Sequence, residues 1–193
     1  VRDTRDSYTE PTRGLRARAV FEYAGGILDA DNNFTKVSLE LSQYWPLWWK
    51  IVGHVRGSIA YGDSFGSTPN LPVQERYFLG GINSVRGFRN FTISPKDPAG
   101  GDGLTGGNKA YFINTEILFP LYEPLRMRGL VFYDVGNAFD ERTGFKWDVK
   151  QGAGIGIRFV SPIGAIRLEW GFNLSPRPGE RKQVLHFTAG VAF

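Results

Sequence analysis

Two histidines, a trio of spaced glycines and one arginine set between apolar residues are the places in this 193-residue sequence where chemistry could reside. His54 and His186 lie on widely separated segments, with no companion ligands at the short spacings that metal sites use. No cysteine supplies a thiolate or a disulfide. Gly152-Ala-Gly-Ile-Gly156 has the outline of a phosphate cradle but lacks the helix that must follow one. Glycines placed where another backbone approaches closely explain it better. No catalytic constellation emerges, no cofactor is implied, and the chain does not read as an enzyme. Arg86 is different. It ends a glycine-shaped run, Tyr77-Phe-Leu-Gly-Gly-Ile-Asn-Ser-Val-Arg-Gly-Phe88. A guanidinium there can make directional, charge-assisted bonds to carboxylates. Read on its own it is a surface cation, and Glu116 and Asp134 further along are charges wetted by water.

The elements that must position these residues are strands. Eight segments of about ten residues alternate apolar and polar with period two: 15–24, 35–45, 49–62, 109–119, 126–139, 147–160, 165–174 and 182–193. Thr35–Trp45 is the clearest, with Val37, Leu39, Leu41 and Trp45 opposing Lys36, Ser38, Glu40 and Ser42. Trp49–Gly62 sets Ile51, Val55, Ile59 and Tyr61 against His54, Arg56 and Ser58. Glu116 and Asp134 fall on the polar faces of their segments. Val1–Gly14 is a polar lead-in that reads as the end of a further strand and its turn. The chain begins without an initiator Met or the apolar core of a signal peptide, as an excised segment of something longer would.

Hydrophobic residues make up 41% of the chain, yet no stretch approaches the ~18–20 uninterrupted apolar residues of a spanning helix. The net charge of +4 is spread singly, with no Lys/Arg run to mark a nucleic-acid site. Alternation alone leaves two barrels open: a soluble one with its apolar face inside, or a membrane one that inverts this. Two features favour inversion. Aromatics sit near strand ends on the apolar face (Tyr23, Trp45, Trp49, Tyr61, Trp147, Phe159, Phe193), as rings at bilayer interfaces do. Connections also alternate: 46–48, 120–125 and 161–164 are tight, whereas 25–33, 63–108, 140–146 and 175–181 are longer, the pattern of periplasmic turns and extracellular loops.

The connection 63–108 is too long for a hairpin and therefore functional or disordered. Its second half, 94–107, is rich in Gly, Pro and Asp. Its first half carries Gly80-Gly81 and Val85-Arg86-Gly87-Phe88, ahead of a strand containing Asn-Thr-Glu116. Together with Phe132-Tyr-Asp-Val-Gly136, the Ser161-Pro-Ile-Gly164 turn and a terminal aromatic after a Gly-containing last strand, this resembles the BamA family of outer-membrane protein assembly factors. The likeness runs through essentially the whole chain. It implies an all-β fold: an antiparallel transmembrane β-barrel whose residues 1–193 are the last eight strands of a sixteen-stranded parent, multi-pass in the bacterial outer membrane.

The resemblance further implies that the loop folds back into the lumen and that Arg86 bridges Glu116 and Asp134. It implies a seam strand, 183–193, where clients meet the barrel, with Gly190 weakening local pairing, the terminal Phe193 as the assembly signal, and Phe187, Ala189 and Val191 forming the rest of the lipid face. The implied partners are outer-membrane lipids, unfolded β-barrel clients, and accessory subunits reached through amino-terminal periplasmic domains. A two-partner secretion transporter and a passive eight-stranded anchor are the alternatives. One further expectation concerns closure. An eight-stranded barrel has room only for its own side chains, so the segment alone is expected to join its first and last full strands and expel the loop. Gly152, Gly154 and Gly156 are then the loop's footprint in the larger parent.

Overall fold

The computed structural model describes residues 1–26, 32–96, 103–161 and 164–190. Period-two alternation becomes one antiparallel sheet of nine strands in simple sequence order: β1 (Arg2–Asp3), β2 (Gly14–Ala24), β3 (Phe34–Pro46), β4 (Val52–Ser64), β5 (Lys109–Tyr122), β6 (Met127–Phe139), β7 (Lys150–Ser161), β8 (Gly164–Asn173) and β9 (Gln183–Ala189). Every neighbour is a hairpin partner, so short turns and long loops alternate along the two rims.

Register places like with like. Leu39 pairs with Ala19 and Ile59, Ile155 with Val131 and Trp170, and Leu168 with Ile157 and Phe187. A slip of one residue would carry each of these to the opposite face. On the outer face Leu39, Leu41, Ile155, Leu168, Trp170 and Leu185 are 42–63% exposed. This is a continuous apolar surface suited to hydrocarbon. The inner face holds the polar residues Ser42, His54, Asn114, Glu116, Asp134, Lys150, Arg158, Glu169 and His186, all buried. It is not wholly polar. Tyr44, Val52, Leu118, Leu130 and Phe132 form an apolar cluster at the end of the sheet that bears the short turns.

Several boundaries move. The strand expected from Trp49 begins at Val52, because Trp49 and Lys50 are left-handed (φ 52° and 61°) and close a turn in which the Ile51 amide donates to the Trp48 carbonyl. Trp147 likewise precedes β7 and stacks on Tyr111, ring centroids 6.1 Å apart. Arg126, with φ 48°, belongs to the turn before β6.

The closure expected of the segment is not seen among the described residues. The outer edge of β2 is occupied by β1, through Arg2↔Ala17 and Asp3↔Arg16, and β9 pairs with β8 alone among the described residues. Among the described residues the sheet is open, and the described part of the long loop lies against its inner face rather than being expelled.

Candidate functional site

The loop between β4 and β5 is built by short-range contacts that its sequence makes available. A bridge joins Leu79 to Ile93 with paired 2.9 Å hydrogen bonds, and Tyr77 pairs with Gly107 in the same way. Between the strands of this knot, the Ser84 amide donates to the Gly81 carbonyl and the Gly81 amide to the Val85 carbonyl. Gly80 and Gly81 have φ near 100°, and a side chain at either would strike Arg89 or Asn90. Leu79, Val85, Phe88 and Ile93 then pack with Ala110, Phe112 and Ala138 of β5 and β6. This apolar seat brings Arg86 to the middle of the sheet, 1% exposed.

Its guanidinium is fully engaged. Nε and Nη2 donate to the two carboxylate oxygens of Asp134, each at 2.7 Å, and the Arg86 backbone amide donates to Asp134 Oδ2 at 2.9 Å. Nη1 donates to Glu116 at 2.6 Å and to Glu169 at 2.8 Å. The guanidinium carbon lies 3.7 Å from the centroid of the Phe132 ring, a cation–π contact in a dry setting. The structure thus places Val85, Arg86, Gly87 and Phe88 on the inner face and brings Arg86 together with both Glu116 and Asp134.

Sequence reasoning did not find the rest of the cluster. Arg158 donates to Glu116 (2.6 and 2.9 Å) and to Glu169 (2.7 Å), and Arg167 donates to Glu169 and to the Ile82 carbonyl of the loop. His54 pairs its Nδ1 with Glu116 and its Nε2 with the Ser42 hydroxyl, both at 2.9 Å, while its ring stacks on Tyr44. Three guanidiniums therefore meet three carboxylates with little water access, the condition under which buried charges are tolerated. Arg56 on β4 adds a bond to the Asn83 carbonyl, and Asn114 on β5 donates to the Ser84 carbonyl.

Glycines fit the loop to the wall. A Cβ on Gly152 would sit 1.9 Å from the Arg86 carbonyl oxygen, and one on Gly171 would sit 2.3 Å from the Gly87 nitrogen. The footprint expected at all three β7 glycines is confined to Gly152. Gly154 lies under the Phe132 ring and Gly156 under the Glu169 side chain. Of the expected seam residues, Phe187 is exposed on the outer face of β9. Gly190 follows the strand with φ 90° and donates to the Ala165 carbonyl. Val191 and Phe193 lie outside the described residues, as do Pro162 and Ile163 of the short turn before β8. The arrangement can hold a loop against a barrel wall.

The family model of the Omp85 superfamily domain matches residues 1–193, the entire chain. This chain belongs to the Omp85 superfamily. It is 35% identical to the outer membrane protein assembly factor BamA of Nitratidesulfovibrio vulgaris, over 94% of this chain and 23% of that protein. It is 24% identical to BamA of Neisseria meningitidis, over all of this chain and 28% of that protein. The chain therefore spans about a quarter of the length of these curated relatives. The crystal structure of BamA from Haemophilus ducreyi lacking POTRA domains 1–3 superposes with a TM-score of 0.82 at 23% identity. That match covers 96% of this chain and 40% of that one, and it establishes a shared barrel fold. The two curated relatives are named as assembly factors.

Proposed function

We propose that this chain forms part of the barrel of an outer-membrane protein assembly factor, which folds and inserts β-barrel clients into the bacterial outer membrane. The observation that carries the reading is the 35% identity to an assembly factor over 94% of the chain. The internal loop held on the sheet's inner face supports it. In this reading the exposed outer face meets lipid, and the chain crosses the bilayer several times. Val85–Phe88 dock the loop, with Glu116 and Asp134 as luminal partners of Arg86. In this reading β9, paired with β8 alone among the described residues, offers its other edge to template client strands, as open sheet edges do. Phe187 and Gly190 belong to that seam, with Val191 and Phe193 continuing it in sequence. Accessory subunits act through periplasmic domains of the longer protein.

The test is insertion of an unfolded client barrel into liposomes that carry the full-length protein, scored by protease resistance of the client. The wild-type protein is expected to accelerate insertion over empty liposomes, and Arg86→Ala to slow it while the barrel stays folded. Equal insertion with and without the wild-type protein overturns the reading.

A further inference from the structure

The loop does more than sit on the β5–β8 wall, for it is also bonded to the edge strand. The Gly87 amide donates to Nε2 of His186 on β9, 3.2 Å away, in a buried setting. Gly87 reaches this position because its own φ of 91° suits glycine and because Gly171 opposite leaves no Cβ in the way. β9 is the shortest of the eight long strands, seven residues joined to the sheet through β8 alone among the described residues. The loop contact is therefore a second tie on a strand with one ladder. An amide can donate only to an unprotonated ring nitrogen, so this bond requires a neutral imidazole with its proton on Nδ1.

We propose that His186 is a positioning residue that couples docking of the loop to the placement of the edge strand β9, so that one cannot be released without loosening the other. The inference rests on the assembly-factor reading for its purpose, since β9 is the strand that clients meet, but not for its physics. The Glu169 and Arg167 side chains on β8 and the Arg86 guanidinium from the loop are the charged groups that face the imidazole. Protonation at Nε2 would replace the acceptor with a donor pointed at the Gly87 N–H, beside two guanidiniums.

Hydrogen–deuterium exchange on the full-length protein in detergent tests this, read on peptides spanning Ile82–Phe88 and Val184–Thr188. His186→Leu is expected to raise exchange about tenfold in both peptides, the loss of roughly one hydrogen bond. His186→Gln, whose side-chain oxygen can accept the same bond, is expected to stay within about threefold of wild type. Acidification gives a second route that needs no destabilising variant. After correction for intrinsic rates, loop protection should fall with pH in the wild type and hold in His186→Gln, which shares every other titrating group. Unchanged loop exchange in a folded His186→Leu overturns the coupling, and so does equal loss in Leu and Gln or an identical pH response in wild type and Gln. Failure of client insertion by the wild-type protein would remove the assembly reading and leave these exchange outcomes intact.

Discussion

Arg86→Ala deletes four side-chain hydrogen bonds, and the structure says which carboxylate suffers. Glu116 retains both Arg158 bonds and His54, and Glu169 retains Arg158 and Arg167. Asp134 keeps the backbone amide of residue 86 but loses the guanidinium bonded to it through two 2.7 Å contacts. It is fully buried, at 0% exposure. Breaking a buried pair by removing one partner costs about 3–5 kcal/mol, and each bond to a charged group contributes about 1.5–3 kcal/mol. The single substitution should therefore cost about 3–5 kcal/mol. In double-mutant cycles, coupling of Arg86 to Asp134 (as Asp134→Asn) should reach about 2–3 kcal/mol, while coupling to Glu116 (as Glu116→Gln) should be about 1 kcal/mol or less. Loss of the contact with Phe132 is common to both arms and cancels. Denaturant unfolding in detergent, followed by tryptophan fluorescence, supplies the free energies. Because the cluster is buried, raising salt should change the Asp134 coupling little. Coupling to Asp134 below about 0.5 kcal/mol, or smaller than that to Glu116, refutes the reasoning.

Gly152→Ala and Gly171→Ala place a methyl against loop backbone that cannot give way, so both should unseat the loop. Limited proteolysis would show new cleavage within 77–93, whereas Gly144→Ala, with open space around it, should not. The Trp49-Lys50 pair occupies two left-handed positions that an Asn-Gly pair fills at less cost. The double substitution should raise stability in detergent by about 1–2 kcal/mol and weaken anchoring in bilayers, since Trp49 is 85% exposed at the rim. Leu168→Lys on the outer face should cost about 2–4 kcal/mol if the site is at the bilayer midplane, measured by unfolding from lipid vesicles. Burial opposes ionisation of Glu180, but the Arg177 amide, the Lys150 ammonium and the Asn173 amide outweigh it and hold this carboxyl below the ordinary range. A depressed acid stabilises the fold above its unfolded pKa and ceases to as pH falls through the folded one. Exchange in the 174–182 loop should therefore rise on acidification below about pH 4, and Glu180→Gln should flatten that response.

Strand faces were legible because parity is a local property. Leu168 outward fixes Arg167 and Glu169 inward without knowledge of any neighbour. The partners Glu116 and Asp134 of Arg86 came from family resemblance, and parity agreed by setting both inward. Arg158, Glu169, His54 and His186 were equally inward by parity, yet nothing local said that they meet. Glu116 and Arg158 stand two strands apart, on β5 and β7, and their contact depends on the relative stagger of β5, β6 and β7. Stagger is fixed by turn lengths and by the bulge between Pro120 and Tyr122, which alternation does not encode. The same gap explains the glycines. Inward parity was right for Gly152, Gly154 and Gly156, but what each makes room for depends on whether loop, Phe132 or Glu169 lies at that depth.

The closure expectation weighs strand number and interior space but sets no cost on separating Arg86 from its partners. Joining β2 to β9 would shrink the interior and eject the loop, and ejection separates Arg86 from three carboxylates on β5, β6 and β8. Two guanidiniums would remain for three buried acids, with Asp134 deprived of the one bonded to it. Ejection would also bare Leu79, Val85, Phe88 and Ile93 together with the wall they cover, an apolar loss of about 1.5–3 kcal/mol for each large side chain. Against this, closure gains one strand ladder, and β1 already occupies the edge of β2 that would form it. Burial and charge thus act in the same direction, and the sheet remains wrapped around its loop with β9 paired to β8 alone among the described residues.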